Sequence, residues 1–298
     1  LLAENDDANR LNSRIEFVAD KTGTYYLSAG SWGDNGDGEY KLEVRSVGDN
    51  GFASLDSLAE YLRVGFWSDW GMRAPSHDTS SSNQITVDIT SLTAAGQQLA
   101  RWAFEAWERV ANLDFVEVKN NAKITFDDND EDYEISAAAT LNPPAGGTIQ
   151  SADIEITRAW LTEFGTSIDS YGFMTYMHEL GHALGLGHQG NYNFTADYGF
   201  DEKFVNDSWQ SSLMSYFDQT QNTAVRASLA YAASPMMADI LAIQTIYGAS
   251  NATSGATVWG ANTTLRGYAD TLFGAVIERQ SSKHIDGNSI AYTIYDRS

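Results

Sequence analysis

Met177-His178-Glu179-Leu180-Gly181-His182-Ala183-Leu184-Gly185-Leu186-Gly187-His188 reads H-E-x-x-H-x-x-G-x-x-H, in a chain with five histidines in all. From Tyr171 to Leu184 the spacing of Phe173, Met174, Met177, Leu180 and Leu184 predicts a helix with an apolar stripe. Residues four apart share a helix face, so His178 and His182 present two nitrogens to one ion. Glu179 follows the first of them and lies beside the ion rather than on it. A carboxylate there can hold and deprotonate a metal-bound water. Gly185 ends the helix, because a residue without Cβ can enter the left-handed region and turn the chain. The turn returns His188 as a third ligand. Three protein ligands leave one position of a tetrahedral zinc open, the catalytic rather than the structural pattern. H-E-x-x-H alone is a moderate signal, and a lone buried histidine is ordinarily a satisfied core residue; the longer pattern makes coincidence a poor explanation.

A second stretch, Ser211-Ser212-Leu213-Met214-Ser215-Tyr216, supplies the methionine turn that accompanies this pattern in metzincins. On Phe173 to His188, on Ser212-Leu213-Met214-Ser215-Tyr216 and on Tyr231 to Gln244, the chain resembles the serralysins, secreted bacterial metzincin proteases. Weaker similarity runs from about Leu58 to the C-terminus. The resemblance implies an α+β fold: a metzincin catalytic domain with a twisted five-stranded mixed sheet, an antiparallel edge strand, an active-site helix and a Met-turn, plus β-rich N- and C-terminal segments. It implies a secreted, extracellular, monomeric zinc endopeptidase that acts on protein or peptide substrates, with Glu179 as general base for a zinc-activated water. Calcium is the second metal it implies, and a proteinaceous inhibitor a further class of partner. By the same resemblance Met214 floors the zinc ligands, and Tyr216 is an additional zinc ligand that swings away to stabilise the transition state. On their own residue chemistry Met214 is core filler and Tyr216 a buried tyrosine with a hydrogen-bond partner. Two rival readings stand beside this one: an adhesion or carbohydrate-surface module with an idle zinc site, and a latent precursor whose N-terminal segment plugs the cleft.

The chain has 298 residues, enough for one large or two modest domains, with a formal net charge of −22 and no cysteine. Such a surface repels nucleic acid and anionic membranes. No apolar run reaches bilayer length, which argues against membrane insertion. Without disulfides, a protein outside the cell is commonly bacterial, and calcium can take over the stapling role. No signal peptide is visible.

Residues 1–50 read as β: Arg14 to Ala19, Thr24 to Ala29 and Tyr40 to Arg45 alternate, with a Gly/Asp turn at Gly33 to Gly38. The segment resembles the C-terminal half of a bacterial pre-peptidase-type β-sandwich, and three strands make half a core. The reading therefore expects a piece of a longer chain. Asp6, Asp7, Asp34, Asp37 and Glu39 are calcium candidates, with solvated turn acids the favoured account. Residues 51–249 form the expected zinc protease domain, and 250–298 the start of a β-rich, RTX-like region, truncated.

Within the central domain the pattern predicts a helix over Leu55–Arg63, with Trp67 and Trp70 in the core and His77 on the surface. Gln84–Thr90 is a strand, and Thr93–Ala111 an amphipathic helix capped by Thr93. Strands follow at Asp114–Val118 and Ala122–Phe126. The acidic run Asp127–Asp132 reads as a solvated loop, with calcium binding the minority view. Ile135–Leu141, containing Ala137, Ala138 and Ala139, matches the family's edge strand, whose implied role is to pair with an extended substrate; the rival account is small-residue packing. Pro143-Pro144 closes that strand and Ser151–Thr157 is the last before the active-site helix. Gln189–Ser211 is a loop in which Asp201, Glu202 and Asp207 have no assigned chemistry. Pro235–Gly248 is a helix, with Asp239 either on its surface or in a network. Ser250–Ser298 reads as Gly/Thr-rich and β-like, with His284 on the surface. The family's first calcium site maps onto Thr253, Gly255, Thr257 and Asp296, without the usual partners beyond Asp296.

Overall fold

In the computed structural model of the chain, the described residues are 51–129, 136–142, 147–260, 262–278 and 282–297. The chain divides into two units between Gly51 and Phe52, and every described helix and strand belongs to the second. The strands and calcium candidates expected in residues 1–50 lie outside the described residues, as do Asp130 to Asp132, Ile135 and Pro143-Pro144.

Five strands form one sheet in the order β2-β1-β3-β5-β4: β1 Gln84–Ser91, β2 Asp114–Glu117, β3 Ile124–Asp127, β4 Ala137–Asn142 and β5 Ser151–Ile156. All neighbours run parallel except β4, which pairs antiparallel with β5 from Ala137↔Ile156 to Asn142↔Ser151. Alternation decides which face is covered. Ile85, Val87 and Ile89 of β1 and Ala152, Ile154 and Ile156 of β5 are all buried. This is the metzincin-like α+β arrangement.

Two long helices lie together in the core. In α3, Ala94–Glu108, the Thr93 hydroxyl caps the first turn by accepting from the Gly96 amide, and Leu99, Ala103 and Trp107 are buried. The second, α5, spans Tyr171–Ala183 and is capped by Ser170 through the Phe173 amide. The Trp107 indole donates to the Met177 carbonyl at 3.1 Å, which fixes the register of the two helices. Helix α6, Met237–Tyr247, completes the lower part. Asp239 is buried in a network: it accepts from the Ser212 hydroxyl (2.6 Å) and from the amides of Leu213 and Met236 (both 2.8 Å).

Several expectations need correction. The N-terminal helix does not stop near Arg63. Helix α1, Leu55–Glu60, runs through a π-helical turn, Tyr61–Gly65, into α2, Phe66–Asp69. Trp67 is buried and donates to the Gly185 carbonyl at 2.9 Å, but Trp70 is 49% exposed. Trp70 is the cap residue that ends the helix, so it leaves the buried stripe. His77 is buried, not superficial: its Nε2 meets the Ala183 carbonyl at 3.0 Å and its amide donates to the Tyr247 hydroxyl. Asp128 departs from the solvated-loop reading. It is fully buried, accepts from the Thr93 amide at 2.7 Å and pairs with Arg158. A short helix absent from the sequence reading, α4 Arg158–Phe164, separates β5 from α5. The described part of the C-terminal region is not mainly β: it forms α7, Gly267–Glu278, beyond which, among the described residues, lies only the two-residue strand β7, Ile290–Ala291, paired parallel with β6, Tyr231–Ala232. Tyr268, Ala269, Leu272 and Phe273 recur at helical spacing on the buried side of α7, and Gly/Thr composition hides that stripe. His284 is only partly exposed, and its ring meets Trp102 edge-to-face at 4.9 Å. Among the described residues, no helix is long and apolar enough to cross a membrane.

Candidate metal and catalytic centre

Helix α5 sets His178 and His182 on one face, and the bend at Gly185 then reverses the chain. Gly185 has φ +100°, and a Cβ there would be driven into the Pro75 carbonyl, so only glycine fits. The helix end is closed by Leu186 N–H donating to the Gly181 carbonyl at 3.0 Å and Gly185 N–H to that of His182 at 2.8 Å. Past this bend His188 reaches the other two imidazoles. One ligand nitrogen from each of the three lies within 4.8 Å of the others, and Nε2 of His182 is 2.9 Å from Nε2 of His188.

The protons on these rings follow from their partners. Each Nδ1 meets a backbone carbonyl at 2.8 Å: His178 with Leu213, His182 with Leu186, His188 with Tyr192. A carbonyl only accepts, so each Nδ1 carries the hydrogen and each Nε2 keeps its lone pair. Burial disfavours the charged rings, pushing His178 down to about 4, His182 to about 3 and His188 well below its ordinary value. Three neutral nitrogen acceptors thus converge, an arrangement that repels itself unless a cation lies between them. The set fits zinc in donor type, number and tautomer.

Glu179 is buried beside His178, and desolvation pushes its carboxyl up to about 8. Met214 is fully buried beneath α5: a Cβ on Gly181, between the two helical imidazoles, would stand 2.7 Å from its sulfur. Tyr216 is half-buried, with its ring centroid 4.4 Å from that of His188 and 6.1 Å from that of His178. Its hydroxyl accepts from the Phe194 amide at 3.3 Å, which leaves the phenolic hydrogen free to donate, and burial pushes the phenol up to about 12. Ala137, Ala138 and Ala139 lie on β4, at the sheet edge next to α5; among the described residues β4 pairs with β5 alone. Ala137 and Ala139 pack against the core while Ala138 is exposed.

Thr253 and Thr257 come together with the C-terminal segment: the Thr253 hydroxyl bonds the Tyr295 carbonyl and the Arg297 amide, and that of Thr257 the Thr253 carbonyl. Gly255 has φ +115°, and the Asp296 carboxylate accepts from the Trp259 indole at 2.8 Å.

Sequence reading missed Tyr192, whose carbonyl orients His188, and Asp207, whose carboxylate accepts from the Tyr192 hydroxyl at 3.0 and 3.2 Å. Both sit in an irregular segment with no periodicity to mark them. It also missed Phe66, whose ring meets His188 edge-to-face at 5.3 Å.

The Peptidase_M10 (matrixin) family model matches residues 79–194. Serralysin B of Dickeya chrysanthemi is 36% identical over 197 residues, 62% of this chain and 40% of the relative. Metallopeptidase AprA of Pseudomonas marginalis is 34% identical over 197 residues, 63% of this chain and 41% of the relative. Serralysin A of Dickeya chrysanthemi is 37% identical over 180 residues, 58% of this chain and 37% of the relative. The chain thus spans about two fifths of the length of these curated relatives. Among solved structures, high choriolytic enzyme 1, a hatching enzyme zinc-protease of Oryzias latipes, aligns with 58% of this chain and 94% of that one at 18% identity and a TM-score of 0.37, too loose a likeness to bear on the argument. The family model covers the bend, the imidazole cluster and the strands that precede them, and over about three fifths of its length the chain is similar to the serralysins, with a metzincin-like α+β domain.

Proposed function

We propose that this chain is a zinc-dependent endopeptidase, with His178, His182 and His188 holding the metal and Glu179 handling the proton. The observation that carries the reading is the convergence of three Nε2 lone pairs, each fixed by an Nδ1–carbonyl bond, beside a buried carboxyl. Zinc held there supplies Lewis acidity, which lowers the pKa of water toward about 7 and polarises a carbonyl.

The remaining roles belong to the chain's own groups. Edge strand β4 binds an extended peptide by its backbone, and the small side chains of Ala137, Ala138 and Ala139 leave room beside the scissile bond. Glu179 removes a proton from the attacking water and returns it to the departing amine. Burial that lifts its proton affinity toward neutrality suits both transfers. Tyr216 donates its phenolic hydrogen to the developing oxyanion and serves as an additional zinc ligand in the resting state; loss of such a donor costs about 10²–10³ in rate. Met214 holds the ligand-bearing helix from below.

The family resemblance and the net charge of −22 support action outside the cell, as a monomer. A calcium ion at the corner of Thr253, Gly255, Thr257 and Asp296, and a proteinaceous inhibitor filling the cleft, belong to the same reading.

The test is casein hydrolysis with metal analysis. Wild type is expected to carry one zinc per chain, to lose activity to a chelator and to regain it with zinc. Glu179→Ala is expected to retain zinc and lose turnover. Sustained hydrolysis by purified Glu179→Ala protein refutes the assignment of the base.

A further inference from the structure

Resting on the hydrolase reading, we infer that Asp207 is a positioning residue: its buried carboxylate fixes Tyr192, and through Tyr192 both the third imidazole and Tyr216. Asp207 is 0% exposed and lies in the loop between His188 and the Met-turn. Both of its oxygens accept from the Tyr192 hydroxyl, at 3.0 and 3.2 Å. The same Tyr192 hydroxyl accepts the Tyr216 amide, so one carboxylate ties this loop to the end of the Met-turn.

Tyr192 is the hub of the arrangement. Its backbone carbonyl accepts the His188 Nδ1 hydrogen at 2.8 Å, and its ring stacks on the same imidazole, with centroids 5.5 Å apart and planes 26° apart. Its hydroxyl accepts the Tyr216 amide at 3.3 Å, and the two tyrosine rings lie 4.9 Å apart. A phenol that accepts from an amide must send its own hydrogen elsewhere, and the carboxylate is where it goes. Without that acceptor the phenol can turn, and the Tyr216 backbone loses its reference point.

A buried carboxylate is costly unless hydroxyls or cations surround it. Core packing alone has no use for one here, whereas fixing two site residues at once does. Partners one bond removed from a metal ligand typically matter by 10–100-fold in affinity or activity.

The experiment uses the zinc-loaded full chain with a fluorogenic peptide, zinc affinity by chelator competition, and the absorption spectrum of the cobalt(II)-substituted protein. Tyr192→Phe keeps the ring and carbonyl but removes the hydroxyl. It is expected to lower kcat by about 10–100-fold with KM little changed and to shift the cobalt spectrum. Asp207→Asn, which offers one acceptor in place of two and can turn an NH2 toward the Tyr192 hydroxyl, is expected to act in the same direction. The Tyr192→Phe/Asp207→Asn double variant is expected to be no worse than Tyr192→Phe, because the link is already cut. Additive losses in kcat, or a Tyr192→Phe protein with wild-type kcat and spectrum, overturn the inference; should Asp207→Asn fail to fold, Tyr192→Phe decides alone. An active wild type with unaffected variants refutes this inference and spares the protease reading. A wild type that neither binds zinc nor cleaves peptide refutes both.

Discussion

Replacing Gly181 by alanine sets two effects of opposite sign against each other. The residue lies inside α5, between His178 and His182. Alanine in a helix interior is favoured over glycine by about 1 kcal/mol. The new Cβ, however, would stand 2.7 Å from the Met214 sulfur and 3.3 Å from the Trp107 ring. Ordinary contact needs about 3.5–4.0 Å, so the sulfur must retreat by about 1 Å. Met214 is fully buried, and overpacking of this kind costs about 1–3 kcal/mol. The steric term wins, and Gly181→Ala is expected to destabilise the protein by about 1 kcal/mol in urea unfolding. The decisive comparison uses Met214→Ala as background. There the sulfur is gone, the helix term stands nearly alone, and the same substitution becomes neutral or stabilising. The two sites are therefore expected to couple by about 1–2 kcal/mol. An equal effect of Gly181→Ala in both backgrounds refutes the claim that Met214 supports the ligand helix through this contact.

His77 gives a pH prediction. Burial pushes it down to about 4, so the folded state holds it neutral while the unfolded chain protonates it near 6.5. Its stabilising contribution is complete above about 6.5 and is lost as pH falls toward 4, on the order of 3 kcal/mol in all. His77→Gln should flatten the stability profile in that window, and an unchanged acid limb would refute the point. Asp239 accepts three hydrogen bonds, two of them from Ser212 and Leu213 at the start of the Met-turn. Asp239→Asn, which turns a donor toward those donors, is expected to cost about 1–3 kcal/mol by urea titration and to weaken zinc binding, because the Leu213 carbonyl orients His178. Wild-type zinc affinity in a folded Asp239→Asn protein would separate the turn from the metal.

What the sequence made legible was whatever has a period or an obligatory residue. Strand β1 and helices α3, α5 and α6 follow from alternation and from 3.6-residue stripes, and the bend at Gly185 follows from the need for φ above zero. The convergence of His178, His182 and His188 was readable because a helix and one bend suffice to bring them together. Features built from irregular backbone were not. The carbonyls of Leu213, Leu186 and Tyr192 fix the three rings, yet a carbonyl is present on every residue and leaves no mark in the sequence. Asp128 and Asp207 look like loop acids until the fold closes over them. His77 was misjudged because a Ser/Pro-rich surrounding suggests surface, whereas the ring is buried against the end of α5. Helix α7 was hidden by composition: its stripe of Tyr268, Leu272 and Phe273 sits among glycines and threonines that argue for strand.

The side of β4 that pairs with no described strand would carry a cost outside the proposed catalysis. A strand that offers its backbone to any extended chain offers it equally to another copy of itself, the usual seed of edge-to-edge aggregation. Nothing in Ala137, Ala138 or Ala139 obstructs such stacking, since none is charged or bulky. The guard must then act at longer range, and a formal charge of −22 supplies one, keeping copies apart while leaving short, uncharged peptides free to approach. Colloidal behaviour should accordingly worsen as acid or salt removes that repulsion, well before the fold itself gives way.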